Sequence, residues 1–240
     1  MRARIASCRG RRPPAQHGSP DWVMWHHQAV NKKGHRGGDL TSRATVAALV
    51  GYGLLTLVWR SVLQWQRTGD AGLRLSGELP PRARVSNALM SAGFLAGLAA
   101  ATRNARRRAQ TSDQTSTWRL LGLGLIVVAT MITYRSQLDL GTSWRVGVDE
   151  RERTDLVTSG LFSLVRNPIF SGMATAAIGT TFAVRSAMAY LAATALIVGM
   201  EIQVRTVEEP YLLRTHGQAY RAYASRTGRF VPRVGHISAT

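Results

Sequence analysis

The sequence predicts an all-α, polytopic membrane protein with about five transmembrane helices, the last two of which form a helical hairpin. Uncharged stretches of 15 to 18 residues recur between Arg-rich segments, which is typical of membrane helices joined by basic loops. The 240 residues include 31 Lys and Arg against 13 Asp and Glu, yet 45% are hydrophobic, so charged and apolar residues must be segregated. Strand-like alternation of apolar and polar residues is absent.

The first 43 residues are predicted to form a disordered basic arm. They contain nine Lys or Arg, three Pro and five Gly, and such a segment cannot bury enough apolar surface to offset its ordering entropy. Each basic residue near an anionic leaflet contributes about 1 kcal/mol to lipid binding. No nucleic-acid-binding motif accompanies the charge, so the expected partner is the lipid bilayer, with no nucleic acid and no obligate protein partner.

Three transmembrane helices are predicted within residues 44–138. The first covers residues 44–64, with Arg60 close enough to its end for the guanidinium to extend toward the headgroups. The second covers residues 85–102 and carries Gly93 and Gly97 at GxxxG spacing, which lets a neighbouring helix approach closely. The third covers residues 118–138, where Arg119 and Arg135 lie near the two ends.

The helical hairpin is predicted from residues 168–184 and 186–204, which are separated by the single charge of Arg185. Together these stretches are too long for one ordinary spanning helix, so a turn is expected near residues 183–187. Pro168 suits the first turn of the opening helix. One long tilted helix is the alternative interpretation.

Charge and cysteine content exclude several classes of organisation. Each side of the predicted five-span topology carries 15 positive residues, so the positive-inside rule gives no orientation. Cys8 is the single cysteine, which excludes an internal disulfide and a cysteine-based zinc cluster. No HExxH or similar spacing of histidines occurs, and no metal site is expected.

Two polar segments flank the hairpin and should meet if the hairpin returns the chain to the same membrane face. Their short motifs, in order along the chain, are Leu156-Val157-Thr158-Ser159-Gly160, Arg166-Asn167-Pro168, Glu208-Glu209, His216-Gly217, Tyr220, Tyr223 and Arg229-Phe230. This ordered set, with a membrane hairpin between its halves, resembles the isoprenylcysteine carboxyl methyltransferase family, which is similar to phospholipid methyltransferases. The resemblance makes residues 139–240 a methyltransferase-like region with a cofactor loop, the hairpin and a C-terminal tail.

The resemblance implies an integral membrane enzyme that transfers a methyl group from S-adenosylmethionine to a lipid-like or prenylated acceptor. Carried over by position, it implies these cofactor-binding residues: Leu156, Val157, Thr158, Phe162, Asn167, Pro168, Ile169, Phe170 and Glu208. A carboxylate acceptor is favoured because it is already ionised at neutral pH, whereas an amine must first lose a proton.

The chemistry of the residues gives Glu208 and Arg205 separate roles. The Glu208 carboxylate can pair with the ammonium group of the cofactor. Arg205 lies three residues earlier, on the same face of a regular helix, and is predicted to be the catalytic-site residue that holds an anionic acceptor group. Glu209 should point about 100° away from Glu208 and matter less.

Three alternative functions remain open from the sequence. They are a phospholipid amine N-methyltransferase, a membrane reductase of the sterol type that binds a nicotinamide cofactor, and a non-catalytic membrane protein. Because S-adenosylmethionine is made in the cytosol, a methyltransferase should have its active site facing the cytoplasm. We expect the location to be the plasma membrane of a bacterium.

Overall fold

The computed structural model describes residues 40–71, 80–108, 117–144 and 155–238. Within these ranges the regular structure is helical and contains no strand, which confirms the predicted all-α class. Residues 1–39 of the predicted arm lie outside the described residues, so their disorder stays a prediction, and residues 40–43 already belong to the first helix. Residues 145–154 of the predicted cofactor loop also lie outside them.

The predicted spans correspond to helices in the described residues. The helices are α1, Leu40–Thr68; α2, Pro81–Arg108; α3, Thr117–Leu140; α4, Pro168–Val184; α5, Ala187–Gln203; and α6, Glu209–Ala224. A π-helical segment, Leu54–Trp59, lies inside α1, and a second, Val204–Glu208, joins α5 to α6, which is kinked at Gly217, with φ 50° and ψ -121°. In these residues α1, α2, α3 and the combined helix Ala187–Ala224 are long and apolar enough to cross a membrane. The fourth predicted span, α4, is a shorter apolar helix of 17 residues.

The hairpin between α4 and α5 is confirmed, and the single tilted helix is excluded. Arg185 ends α4 in the left-handed region, with φ 51° and ψ 51°, and donates its N–H to Thr181. Ser186 then begins α5 as its N-cap, since its side chain accepts a hydrogen bond from the backbone N–H of Ala189 at 3.2 Å. The chain therefore reverses at two residues, one closing a helix and the other opening the next.

Helices α1 and α3 run parallel and are joined by polar contacts at a constant sequence offset. The Tyr52 hydroxyl lies 3.1 Å from the Thr133 hydroxyl. One turn later, the Gln137 amide donates to the carbonyl of Thr56 at 2.7 Å. Each pair is separated by 81 residues in the chain. Interhelical hydrogen bonds of this kind hold membrane helices together where the hydrophobic effect contributes little.

Arg60 makes the third of these polar contacts between α1 and α3, which together we call the α1–α3 ladder. Its position corrects the prediction that Arg60 contacts headgroups. Its side chain does not extend toward headgroups, because Arg60 is 1% exposed and donates to the carbonyl groups of Gln137, at 3.4 Å, and Gly141. The guanidinium also lies 4.7 Å from the centre of the Trp144 ring. The last carbonyls of α3 have no donors within their own helix, and the negative end of a helix dipole favours a cation, so Arg60 caps α3 from α1.

Close backbone contacts set the direction of the other helices. Helix α4 packs antiparallel on α3, where Gly122 lies against Gly179 and Ala183. Helix α5 packs antiparallel on α2, where Gly93 lies against Ala192 and Leu196, as its GxxxG spacing predicts. Consequently α1, α3 and α5 finish, and α2 and α4 begin, at one end of the bundle, which we call the common end.

Gly122→Ala is expected to lower the free energy of unfolding by about 1–3 kcal/mol, the usual cost of overpacking. An added Cβ would lie 2.5 Å from both the Gly179 carbonyl oxygen and the Ala183 nitrogen, and backbone atoms cannot move aside cheaply. Thermal unfolding in detergent measures the effect. Gly124→Ala is the matched control because nothing lies within 4 Å of the Cβ position there. Equal stability of the two variants would contradict the close packing.

Candidate functional site

The segments that flank the hairpin meet at the common end, as predicted. Val165 and Gly228 form an isolated parallel bridge, in which the Arg166 N–H donates to the carbonyl of Gly228 at 2.8 Å. The next N–H, of Asn167, donates to the carbonyl of Arg229 at 3.1 Å. The chain after α6 is thus bonded directly to the chain that leads into α4.

A buried cluster of three charges lies where these segments meet. The Arg166 Nη2 donates to Glu209 Oε1 at 2.7 Å. Arg229 donates to both oxygens of the same carboxylate, through Nε at 2.8 Å and Nη2 at 2.9 Å. The Arg166 and Glu209 side chains are 1% and 8% exposed. Hydrogen bonding to Glu209 raises the pKa of Arg229 above its ordinary value, so this tail residue stays charged.

The Nη1 nitrogen of Arg166 binds the C-terminal tail through backbone carbonyls. It donates to the carbonyls of Ala224, at 3.1 Å, and Thr227, while Nη2 also donates to the carbonyl of Gly235 at 2.9 Å. These carbonyls belong to the end of α6 and the residues after it. Arg166 therefore organises the backbone of the C-terminal tail as well as pairing with Glu209.

Glu208 differs from its neighbour in having acceptor capacity to spare. It is half-buried, and among the described residues its carboxylate has one hydrogen-bond partner, the Gln203 amide at 3.4 Å from Oε1. A carboxylate can accept about four hydrogen bonds. Both oxygens of Glu209 are occupied by arginine, so Glu208 is the carboxylate of this pair that can receive a cationic ligand.

The π-helical segment changes the geometry assumed for Arg205. Residues three apart share a face in an α-helix, but Val204–Glu208 has i→i+5 hydrogen bonding, which alters that spacing. The Arg205 side chain is 57% exposed and pairs with Glu201. Glu208 instead lies toward Gln203, so the two residues are not brought together as the helical spacing predicted.

The other predicted cofactor residues belong to the chain before α4 and to the first turn of that helix. Phe162, Asn167 and Pro168 are buried, Leu156, Val157, Ile169 and Phe170 are half-buried, and Thr158 is exposed. The carbonyl of Phe162 accepts a hydrogen bond from the Tyr223 hydroxyl at 2.6 Å. The Asn167 side chain donates to the carbonyl of Arg229 at 3.2 Å. These contacts tie the loop before α4 to α6 and to the tail.

Sequence reasoning missed the part that Glu209 takes in this cluster. The resemblance drew attention to Glu208, and a regular helix would turn Glu209 away from it. The usable signal was the presence of two arginines, Arg166 and Arg229, in the same motif set, since guanidinium groups are the preferred partners of a buried carboxylate.

An apolar cavity lies between α1, α2, α4 and α5. Its walls include Leu49, Tyr52, Phe94, Met173 and Leu196, and most other lining residues are small. Met173 follows Ile169 by four residues, which is about 6 Å along α4. The cavity therefore begins about one helical turn from a predicted cofactor residue.

Comparison with known proteins supports the motif-based resemblance. Residues 117–219 match the family model described as phospholipid methyltransferase. The match begins with α3 and ends in α6, and it includes Arg166, Glu208 and Glu209. It confirms the resemblance to the related isoprenylcysteine carboxyl and phospholipid methyltransferases, and it indicates a methyltransferase of the membrane. Among curated proteins, no match to the chain was found.

Proposed function

We propose that this protein is an S-adenosylmethionine-dependent methyltransferase that acts on a lipid-like or prenylated acceptor. The proposal is based on the match to the phospholipid methyltransferase model and on the geometry at the common end. The observation that carries the proposal concerns Glu208. Its carboxylate is half-buried and can accept further hydrogen bonds, whereas both oxygens of the neighbouring Glu209 are already bonded to arginine. Its position inside the matched segment links it to the family's chemistry.

The residues at the common end suit the charges of this cofactor. S-adenosylmethionine, when bound, supplies an electrophilic methyl group on a sulfonium, with an ammonium and a carboxylate at its amino-acid end. Glu208 would accept hydrogen bonds from the ammonium. Leu156, Val157, Phe162, Ile169 and Phe170 would supply apolar contacts. Holding the reactants in line and excluding water accounts for much of the acceleration in such reactions.

The apolar cavity supports a lipid-like acceptor. Its walls, formed by α1, α2, α4 and α5, are apolar, as contact with an aliphatic or isoprenoid chain requires. Because the cavity starts near Ile169, an acceptor held there would have its polar group close to the common end. We propose a cytoplasmic orientation for that end, in the plasma membrane of a bacterium, since the cofactor is cytosolic.

Carboxylate and amine acceptors remain the two candidates, and we favour the carboxylate. An ionised carboxylate can accept the methyl group without a base to remove a proton. The description of the matched family favours a phospholipid amine instead. Alkaline treatment of labelled product decides, because a methyl ester releases methanol whereas an N-methyl group is retained.

Equilibrium binding to detergent-purified protein tests the function. We expect saturable binding of S-adenosylhomocysteine and none of NADPH. Binding of NADPH alone would favour a reductase of the sterol type. Binding of neither would leave a non-catalytic membrane protein and overturn the proposal.

Arg205 is proposed to bind an anionic group of the acceptor, for which its exposed guanidinium is accessible. We expect Arg205→Lys to lower methyl transfer far more than S-adenosylhomocysteine affinity, because lysine keeps the charge but loses the planar fork. Turnover, affinity and thermal stability are measured together, with Arg226→Lys as an exposed arginine control. A parallel fall in all three would indicate a structural role, and retention of all three would remove Arg205 from the site.

A further inference from the structure

A buried chain of side-chain hydrogen bonds reaches Glu208 from α2. Ser86 is fully buried, and its hydroxyl donates to Gln203 Oε1 at 2.6 Å while lying 2.9 Å from the carbonyl of Ala83 in its own helix. Gln203 is 4% exposed, and its Nε2 donates to Glu208 Oε1 at 3.4 Å. Because Ser86 engages the oxygen of the amide, the nitrogen is the end that faces Glu208.

The π-helical segment makes the last contact of this chain possible. Gln203 and Glu208 are five residues apart, and in an α-helix that spacing would separate their directions by about 140°. The π turn closes i→i+5 hydrogen bonds, so residues five apart lie closer to the same face than they do in an α-helix. Val204–Glu208 spans this interval, and the Gln203 side chain consequently reaches the Glu208 carboxylate.

Close contact between α2 and α5 makes the first contact possible. A Cβ built on Gly199 would lie 2.9 Å from the Ser86 carbonyl oxygen and from Met90 Cγ, so the two backbones touch at this level. At this distance the short Ser86 side chain spans the interface. Gln203 follows Gly199 by four residues, on the same face of α5.

We propose that Ser86 and Gln203 are positioning residues for Glu208, and that they fix its carboxylate in the orientation that receives the cofactor's ammonium. This inference rests on the proposed function and extends it to α2, which lies outside the segment matched by the family model. The donor from Gln203 occupies one lone pair of Oε1 and restricts rotation of the carboxylate. The other oxygen stays available, so the ligand does not have to order the side chain when it binds.

Binding measurements on paired variants test the chain of hydrogen bonds from Ser86 to Glu208. We expect Ser86→Ala to weaken S-adenosylhomocysteine binding roughly three- to tenfold, the loss of about one hydrogen bond. In a Glu208→Gln background the same change should cause no further loss, since its effect passes through Glu208. Ser136→Ala is the control: Ser136 is also fully buried on a helix, but its hydroxyl bonds to Ile132 of α3. Gln203→Met, which keeps the length of the side chain, should reproduce the loss if Ser86→Ala does not fold.

A measurement without ligand separates this inference from the proposed function. The infrared carboxylate band of Glu208, assigned by its absence in Glu208→Gln, should shift in Ser86→Ala and Gln203→Met and stay unchanged in Ser136→Ala. An unshifted band, or losses of affinity that add fully in the Glu208→Gln background, would overturn the positioning role. Failure of the unaltered protein to bind S-adenosylhomocysteine would overturn the proposed function instead. The infrared band would still test whether Ser86 and Gln203 orient Glu208.

Discussion

Replacing Glu209 with glutamine is expected to lower the free energy of unfolding by about 3–5 kcal/mol, the cost of removing one partner from a buried ion pair. The carboxylate neutralises Arg166 and Arg229, whose contacts with it range from 2.7 to 2.9 Å. Glutamine would leave two guanidinium groups facing each other with no negative charge between them. The bonds from Arg166 to the tail would be strained by the same repulsion.

Chemical or thermal unfolding of the purified protein measures this effect. Glu201→Gln is the matched control because it also removes one carboxylate from an arginine pair, but at the surface, where Glu201 and Arg205 are 38% and 57% exposed. Surface pairs contribute at most about 1 kcal/mol. If the two variants lose equal stability, the Glu209 cluster is not the anchor of the tail.

Replacing Glu208 with glutamine is expected to weaken S-adenosylhomocysteine binding roughly 10- to 150-fold, which corresponds to about 1.5–3 kcal/mol for a hydrogen bond to a charged group. Glutamine nearly preserves the shape of the side chain but removes the charge that would pair with the ligand's ammonium. Stability should change little, because the side-chain carbonyl of glutamine can still accept the hydrogen bond from Gln203.

Equilibrium dialysis with labelled ligand measures the affinity, and a thermal scan checks the fold. Glu201→Gln serves again as the control, since it neutralises a carboxylate two turns earlier on α5 without touching the predicted cofactor residues. Unchanged affinity in Glu208→Gln would mean that the Glu208 carboxylate does not pair with the ligand's ammonium. It would also remove the observation on which the proposed function depends.

The helices could be predicted from the sequence because their signals are local. An uncharged run of sufficient length specifies a membrane helix whatever it packs against. The hairpin was predictable for the same reason: Arg185 interrupts an apolar run at the place where the chain turns, and Pro168 marks the beginning of α4. The meeting of the two flanking segments followed from the hairpin alone.

The details of the site were less predictable because one irregular turn rearranges them. A regular helix through residues 203–209 would place Arg205 and Glu208 together, whereas the π-helical segment directs Glu208 toward Gln203. Side-chain spacing does not reveal such a turn. The partners of Glu209 lie 43 and 20 residues away in the chain, so their contact depends on the packing of the whole C-terminal region.

The buried position of Arg60 has a similar origin. Its nearness to the end of an apolar run suggested contact with headgroups, but Arg60 instead donates to the carbonyls of Gln137 and Gly141 at the end of α3. That choice depends on which helix packs beside α1, and the parallel α1–α3 contact spans 81 residues of sequence. Only the assembled bundle makes this contact visible.

The equal steps of the α1–α3 ladder have a consequence for how these helices find their register during assembly. Steps of four residues repeat at every helical turn, so sliding α1 by one turn would bring another pair of polar groups from the ladder into contact. Arg60 removes this ambiguity because its acceptors, the carbonyls of Gln137 and Gly141, are found where α3 terminates. Slid in either direction, its charge would face carbonyls already bonded inside the helix or no helix at all. Arg60 thus fixes the register of α1 on α3, and this register pairs Tyr52 with Thr133 and Thr56 with Gln137.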